Sequence, residues 1–240
     1  MRRIMMGVMV AAGLAMGTWA FAEETTTNET TTNETAVHNA LSDEEKTEGF
    51  ELIFDGTTLN GWVGDTKGYV VEDGTIVCKP GGALYTEKDY ADFVFRFEFN
   101  LQESGNNGIA LRSPPSGNAA YDGMECQILD DVNFIKAYPQ LQPWQVHASI
   151  YGVIAGKPNV LKKPGEWNTE EIVLCGRYVR VTVNGRVVIE GKLPTADKPT
   201  LDSPNEGGHH PGLDNETGRI GFCGHNDWVA FRNLRVREFK

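Results

Sequence analysis

Glu125 and Gln127 stand two residues apart in GMECQILDD, so in an extended segment both side chains leave the same face. Arg112 ends the neighbouring apolar run over residues 109–112. An acid, an amide and a guanidinium gathered on one sheet surface describe a polar site better than a core. There Glu125 can serve as a general base or a metal ligand, the bland alternative being a surface acid on an edge strand. Gln127 can hydrogen-bond a substrate or stay solvated. Arg112 can polarise a substrate oxygen or simply pair with Glu125. Asp130 is an odd step from Glu125 and should face the other side unless the strand is bulged.

The elements that must position these groups are nearly all strands. DFVFRFEFN sets Phe93, Phe95, Phe97 and Phe99 on one face, with Val94, Arg96, Glu98 and Asn100 on the other. Strict period-2 alternation of this kind marks a strand with one buried face. A Gly/Asn turn (SGNNG) follows, and residues 92–130 then read as three strands of one sheet. Asp73-Gly74 and Asn184-Gly185 are two-residue hairpin signals between apolar runs. Further strands are expected over residues 50–54, 82–86, 149–153, 168–174, 219–223, 228–231 and 234–239. Ser42 and Glu45 form an S-x-x-E capping box, so one short helix over residues 42–48 should end at Gly49. Many short strands at turn-bounded spacing predict an all-β, two-sheet antiparallel sandwich with one short N-terminal helix.

The ends and the charge exclude several functions. Arg2 and Arg3, the apolar stretch 4–16 and Ala20-Phe21-Ala22 have the layout of a cleaved secretory signal peptide, residues 1–22. The stretch is too short for a permanent span, so no membrane span is expected in the mature chain, which would be periplasmic or secreted. Residues 23–40, with TTTNE twice in succession, carry little to bury and read as a disordered linker to one β-sandwich domain at 41–240. The net charge of −11 becomes −13 on removal of the two leader arginines, and no basic stripe stands against it. Nucleic acid is therefore excluded as a partner. Cys78, Cys126, Cys175 and Cys223 lie in apolar or strand-like contexts without metal-ligand spacing. They read as buried free thiols, with one or two disulfides as the alternative in an exported chain.

The segments FELIFDGTTLNGW, GGALYTEKDYADFVFRFEF, NNGIALR, MECQILDD, VNGRVV and GRIGFCGHNDWVAFRNLRVREF, in this order, resemble the 3-keto-disaccharide hydrolase domain family over roughly residues 41–240. The resemblance implies a concanavalin-like jelly roll, an exported bacterial protein, and as partner an oxidised di- or oligosaccharide carrying a ketone at carbon 3. That ketone acidifies the hydrogen on carbon 2. One base can then form an enolate and expel the group at carbon 1, and water added to the enone completes a net hydrolysis. The two facing carboxylates of an ordinary glycosidase are not needed, which suits the lone Glu125.

On this reading Glu125, Arg112 and His225 are the candidate catalytic residues, His225 matching the family's closing motif. Cys223 departs from it, standing where the family commonly carries Gln. Asn107, Gln127, His147, Tyr151 and Trp144 are the candidate substrate-binding residues; a tight turn would also explain Asn107-Gly108, and a lone His147 is as readily structural. No motif demands a cofactor. A divalent metal ion is the one candidate, at the sugar oxygens or in the polar loop of Asp202, Glu206, His209, His210 and Asp214, where solvation is the simpler reading. A non-catalytic, lectin-like sandwich gripping sugar with the same amides and aromatics is the alternative function.

Overall fold

The alternating phenylalanines decide where the core lies. In the computed structural model, which describes residues 38–198, 200–201 and 209–240, Phe93, Phe95, Phe97 and Phe99 are sealed from solvent. They project from β6 (Phe93–Leu101) into the space between two sheets, while Arg96 and Glu98 on the alternate face stay half-buried. Phe95 stacks on Phe97 with centroids 4.9 Å apart. Phe231 packs against Phe97 and stacks at 4.0 Å on Phe222 of the opposite sheet. Each such side chain contributes roughly 1.5–3 kcal/mol by leaving water, so this aromatic layer is a major stabiliser of the sandwich.

Among the described residues, eight strands build the larger sheet. Its order is β11 (Arg186–Lys192), β10 (Tyr178–Val183), β9 (Asn168–Cys175), β6, β13 (Val229–Glu238), β4 (Thr75–Cys78), β3 (Tyr69–Glu72), with β1 (Glu51–Leu52) added on β13. The smaller sheet runs β2 (Trp62–Gly64), β5 (Ala83–Tyr90), β12 (Gly218–Cys223), β7 (Asn106–Ser113), β8 (Met124–Leu129). The pairings in both are antiparallel, giving the expected two-sheet β-sandwich. Asp73-Gly74 and Asn184-Gly185 turn β3 into β4 and β10 into β11, and all four residues have positive φ, as that tight turn requires. The capping box is present in α1 (Asp43–Glu48), and Gly49 ends it in the left-handed region at φ +86°.

Three expectations are corrected. Residues 92–130 do not form one sheet: β6 lies in the larger sheet, while β7 and β8 lie in the smaller. The connection at 102–105, with Ser104 at φ +56°, is an arch between layers rather than a hairpin. Asn107-Gly108 is accordingly strand, not turn. Residues 149–153 form no strand of their own. They dock on the free edge of β8 through Ala148 N–H to Gln127 O (2.7 Å), Gln127 N–H to Ser149 O (2.9 Å) and Tyr151 N–H to Glu125 O (2.8 Å). That docking covers a sheet edge that would otherwise be open. Two further short helices, α2 (Ala119–Asp122) and α3 (Asp131–Ala137), flank β8. Asp130 caps α3 and also accepts from Ser104 N–H at 2.8 Å, so it holds the arch and the helix start together.

The expected leader at 1–22 and residues 23–37 of the expected linker lie outside the described residues. Asn39, within the stretch expected to be linker, donates to Gly74 O at 2.8 Å. No helix among the described residues is long and apolar enough to cross a membrane. The four cysteines are free. Cys78 and Cys126 are buried and Cys223 half-buried, but Cys175 is exposed, against the expectation of burial.

Candidate active site

Strand parity sorts the residues of β7 and β8 onto two faces. Ala110 pairs with Glu125, Gly108 with Gln127, and Asn106 with Leu129, so these six share the outer face of the smaller sheet. Asn107, Ile109, Met124, Cys126 and Ile128 take the other face, toward the core. On β12 and β5 the outer face carries Cys223 paired with Ala83 and Gly221 paired with Tyr85. Gly108 is what lets Glu125 lie where it does: a Cβ at Gly108 would collide with the Glu125 carboxylate.

Above this outer face lie two adjoining lobes of about 400 and about 330 Å³. Glu125, Asn118, Ala120 and His225 line both, so the carboxylate stands where the lobes meet. The first lobe is otherwise walled by small or weakly polar groups, among them Ala83, Ala119, Cys223 and Tyr85. The second carries Asn106, Gln127, Gln145, Tyr121, Tyr151 and Phe134. Together they fall in the size range of small-molecule sites.

Glu125 is 6% exposed, and its Oε1 has no hydrogen-bond partner. Burial alone pushes its carboxyl up to about 8. Asn106 Oδ1 and Gln127 Oε1 are likewise buried and unpartnered, so three acceptor oxygens face the second lobe. His225 has its pKa lowered by desolvation, with Asp227 opposing, which favours the neutral imidazole. The Cys223 thiol is pushed far up by burial and by the nearby Glu125. Glu125 is the one carboxylate among the residues lining either lobe.

Of the expected residues, Glu125, Gln127, His225 and Tyr151 come together here. Tyr151 lines the second lobe and accepts from Gln145 Nε2 at 2.9 Å. Trp144 stands behind it, edge-on to the Tyr151 ring at 5.1 Å, and supports the wall rather than forming it.

Three residues are placed elsewhere. Arg112 does not meet Glu125. Ala110 pairs with Gly221 and Ser113 with Arg219, so β7 holds one residue more than β12, and the bulge puts Arg112 at φ +45°. Its guanidinium turns to the sandwich rim, pairs with Asp92 at 2.7 Å and donates to the carbonyls of Ala91 and Gly176. Asn107 faces the core and donates to Tyr69 Oη at 3.3 Å; of the adjacent pair it is Asn106 that lines the cleft. His147 is fully buried beside the Phe99 ring, with Nε2 3.4 Å from Glu170 Oε2, and burial lowers its pKa to about 3. A neutral core imidazole has no substrate to touch.

Tyr85, Asn118, Ala120, Tyr121, Phe134 and Gln145 were not anticipated. Asn118 was detectable as a cap: its side chain accepts from Ala120 N–H at 3.0 Å at the start of α2. In the polar loop, Asp202 and Glu206 lie outside the described residues. Asp214 pairs with Arg177, and His210 is buried edge-on to Tyr121 at 5.7 Å. Among the described residues no three His, Cys, Asp or Glu side chains gather as a metal cluster. The cleft's candidate metal ligands include the Glu125 carboxylate, the His225 imidazole and the amide oxygens of Asn106 and Gln127, an oxygen-rich set that suits a hard divalent cation better than zinc.

Comparison with known proteins follows the same lines. A 3-keto-disaccharide hydrolase of Bacteroides thetaiotaomicron is 27% identical over 90% of this chain and 87% of its own length. A crystal structure of a candidate glycosyl hydrolase from Parabacteroides distasonis superposes with a TM-score of 0.71 at 25% identity, covering 85% of this chain and all of that one. A second from the same organism, at 23% identity and TM-score 0.69 over 79% of this chain, shares the fold. The model of the 3-keto-alpha-glucoside-1,2-lyase-like domain matches residues 49–237, and the chain belongs to that family.

Proposed function

We propose that the protein cleaves 3-keto-glycosides, 3-keto-disaccharides among them, with Glu125 as the base. The observation that carries this is the solitary buried carboxyl with an open oxygen at the meeting point of two lobes. An ordinary glycosidase needs a second carboxylate roughly 5–10 Å away. Elimination beside a ketone needs one base. Glu125 takes the proton from carbon 2, the electron pair forms the enolate, and the bond from carbon 1 to the leaving oxygen breaks. The proton held by Glu125 is the one the departing oxygen requires, so a single carboxyl balances the step. Water then adds across the enone, its oxygen to carbon 1 and a proton to carbon 2, and the net result is hydrolysis.

Arg112 is too committed at the rim to stabilise the enolate. Neutral His225 and the Gln127 amide, which line the cleft with Glu125, are groups able to donate to it. The family likeness and the exported style of the leader support placement in the periplasm or outside the cell, where the oxidised sugar would be met.

Purified protein offered a 3-keto-disaccharide and its unoxidised parent should consume only the former. Glu125→Gln should lower kcat by about a thousandfold with an unchanged fold. Because the base must be ionised, kcat/KM should climb with pH and level off above a limb near 8. Binding of both sugars with consumption of neither would mark a lectin-like domain instead.

A further inference from the structure

The two lobes differ in chemistry, and the difference divides the substrate. The second lobe presents three unpartnered acceptors, Asn106 Oδ1, Glu125 Oε1 and Gln127 Oε1. A buried acceptor without a donor costs about 1–3 kcal/mol, so this surface is completed by a ligand rich in hydroxyl groups. Of these only Glu125 also lines the first lobe. That lobe's sheet floor is Ala83 directly opposite Cys223, with Tyr85 beside them, and Ala119 and Ala120 close the wall. Tyr85, Ala119, Ala83 and Cys223 belong to one small apolar cluster on this face, together with Ala110 and Val63.

Resting on the activity proposed above, we propose that the second lobe seats the oxidised ring and the first is the aglycone subsite. Its small, weakly polar lining suits a compact apolar aglycone, such as a phenyl group, better than a second pyranose. A second sugar ring would find Asn118 and His225 where the lobes join, but over the Ala83–Cys223 floor its hydroxyls would lie against methyl and thiol groups. The thiol adds little as a hydrogen-bonding group, being a weak donor and weak acceptor. Glu125 at the junction then reaches carbon 2 of the ring on one side while the carbon 1 substituent departs to the other.

The test compares kcat/KM of the full chain on the 3-keto derivatives of phenyl glucoside and of a glucosyl disaccharide, which share the oxidised ring. The phenyl substrate should be preferred by about tenfold or more, the scale on which one pocket contact discriminates. Cys223→Gln, which adds an amide to the first lobe, should pull the ratio toward one by raising the disaccharide. Ala83→Ser, on the paired strand, should do the same more weakly and covers the case in which the glutamine does not fit. Asn106→Ala should lower both substrates together, by about tenfold, and leave the ratio alone. Thermal midpoints establish that each variant is folded. A ratio that ignores both first-lobe variants, or that follows Asn106 instead, overturns the assignment. Wild-type turnover of neither substrate is a different result: it removes the proposed activity, and the subsite with it.

Discussion

Two glutamates in this sandwich have nearly the same burial and the same displaced acidity, yet only one is placed to do chemistry. Glu125 and Glu170 are 6% and 2% exposed, and desolvation pushes each up to about 8. Glu170 projects between the sheets. Cys126 Sγ donates to its Oε1 at 3.4 Å, and His147 Nε2 lies 3.4 Å from its Oε2. Glu125 is the residue before Cys126 on β8, and alternation sends it the opposite way, over Gly108 and into the cleft. A displaced pKa therefore reports burial. Glu125 Oε1 and Glu170 Oε2 are both buried without a hydrogen-bond partner, so what separates a base from a core acid is that the open oxygen faces the cleft.

The widest contrast between them should appear in turnover. Glu125→Gln should cost about a thousandfold in kcat, whereas Glu170→Gln should leave kcat within about threefold, because its only partners are core groups. Equal losses in two well-folded variants would show that the layer beneath β8 takes part in the chemistry and would erase the distinction. Gly108→Ala comes next. A methyl there displaces the Glu125 carboxylate, and a shift of about 1 Å in a catalytic group costs about a hundredfold. The loss should fall on kcat, and in a Glu125→Gln background Gly108→Ala should add little. Full additivity of the two substitutions would mean that Gly108 acts elsewhere.

Much of this arrangement was legible in the residues, and the failures share a cause. The Phe93–Phe99 alternation, the Asp73-Gly74 and Asn184-Gly185 turns, and the pairing of Glu125 with Gln127 on one face are all local patterns, and each appears as expected. Arg112 failed because a bulge changes which way a residue points without leaving a mark in hydropathy. The arch at 102–105 failed because a chain crossing between layers uses the same Ser, Gly and Asn as one that doubles back. Asn106 was separable from Asn107 by parity: counting back from Leu111 and Ile109 puts Asn107 on the core side. His147 gave no local sign of burial, since its partner Glu170 is supplied by a strand of the other sheet. Tyr121 and Phe134 sit on helices of four and seven residues, too short for helical periodicity to register.

The subtlest contrast is in stability against pH. A glutamate whose native pKa is about 8 keeps its proton when folded but loses it near 4.5 when unfolded. Between those values the unfolded chain binds fewer protons, so stability falls as pH rises and levels off above 8. His147 works in the opposite sense: neutral in the native state down to about 3, it adds stability as pH rises through the imidazole range and stops contributing above about 6.5. From pH 4.5 to 6.5 the two neighbours partly cancel, and from 6.5 to 8 the carboxyls act without that opposition. At 1.36 kcal/mol per pH unit that upper window is worth about 2 kcal/mol for each glutamate, an order-of-magnitude figure. Denaturant unfolding at pH 6.5 and 8 should therefore show a loss of stability in the wild type that is about halved in Glu170→Gln. Glu125→Gln should halve it as well, unless the cleft is wet enough to let that carboxylate ionise at lower cost. A slope that survives Glu170→Gln but vanishes in Glu125→Gln would place the dry, proton-holding acid in the cleft, and the core acid would then be the better solvated of the two.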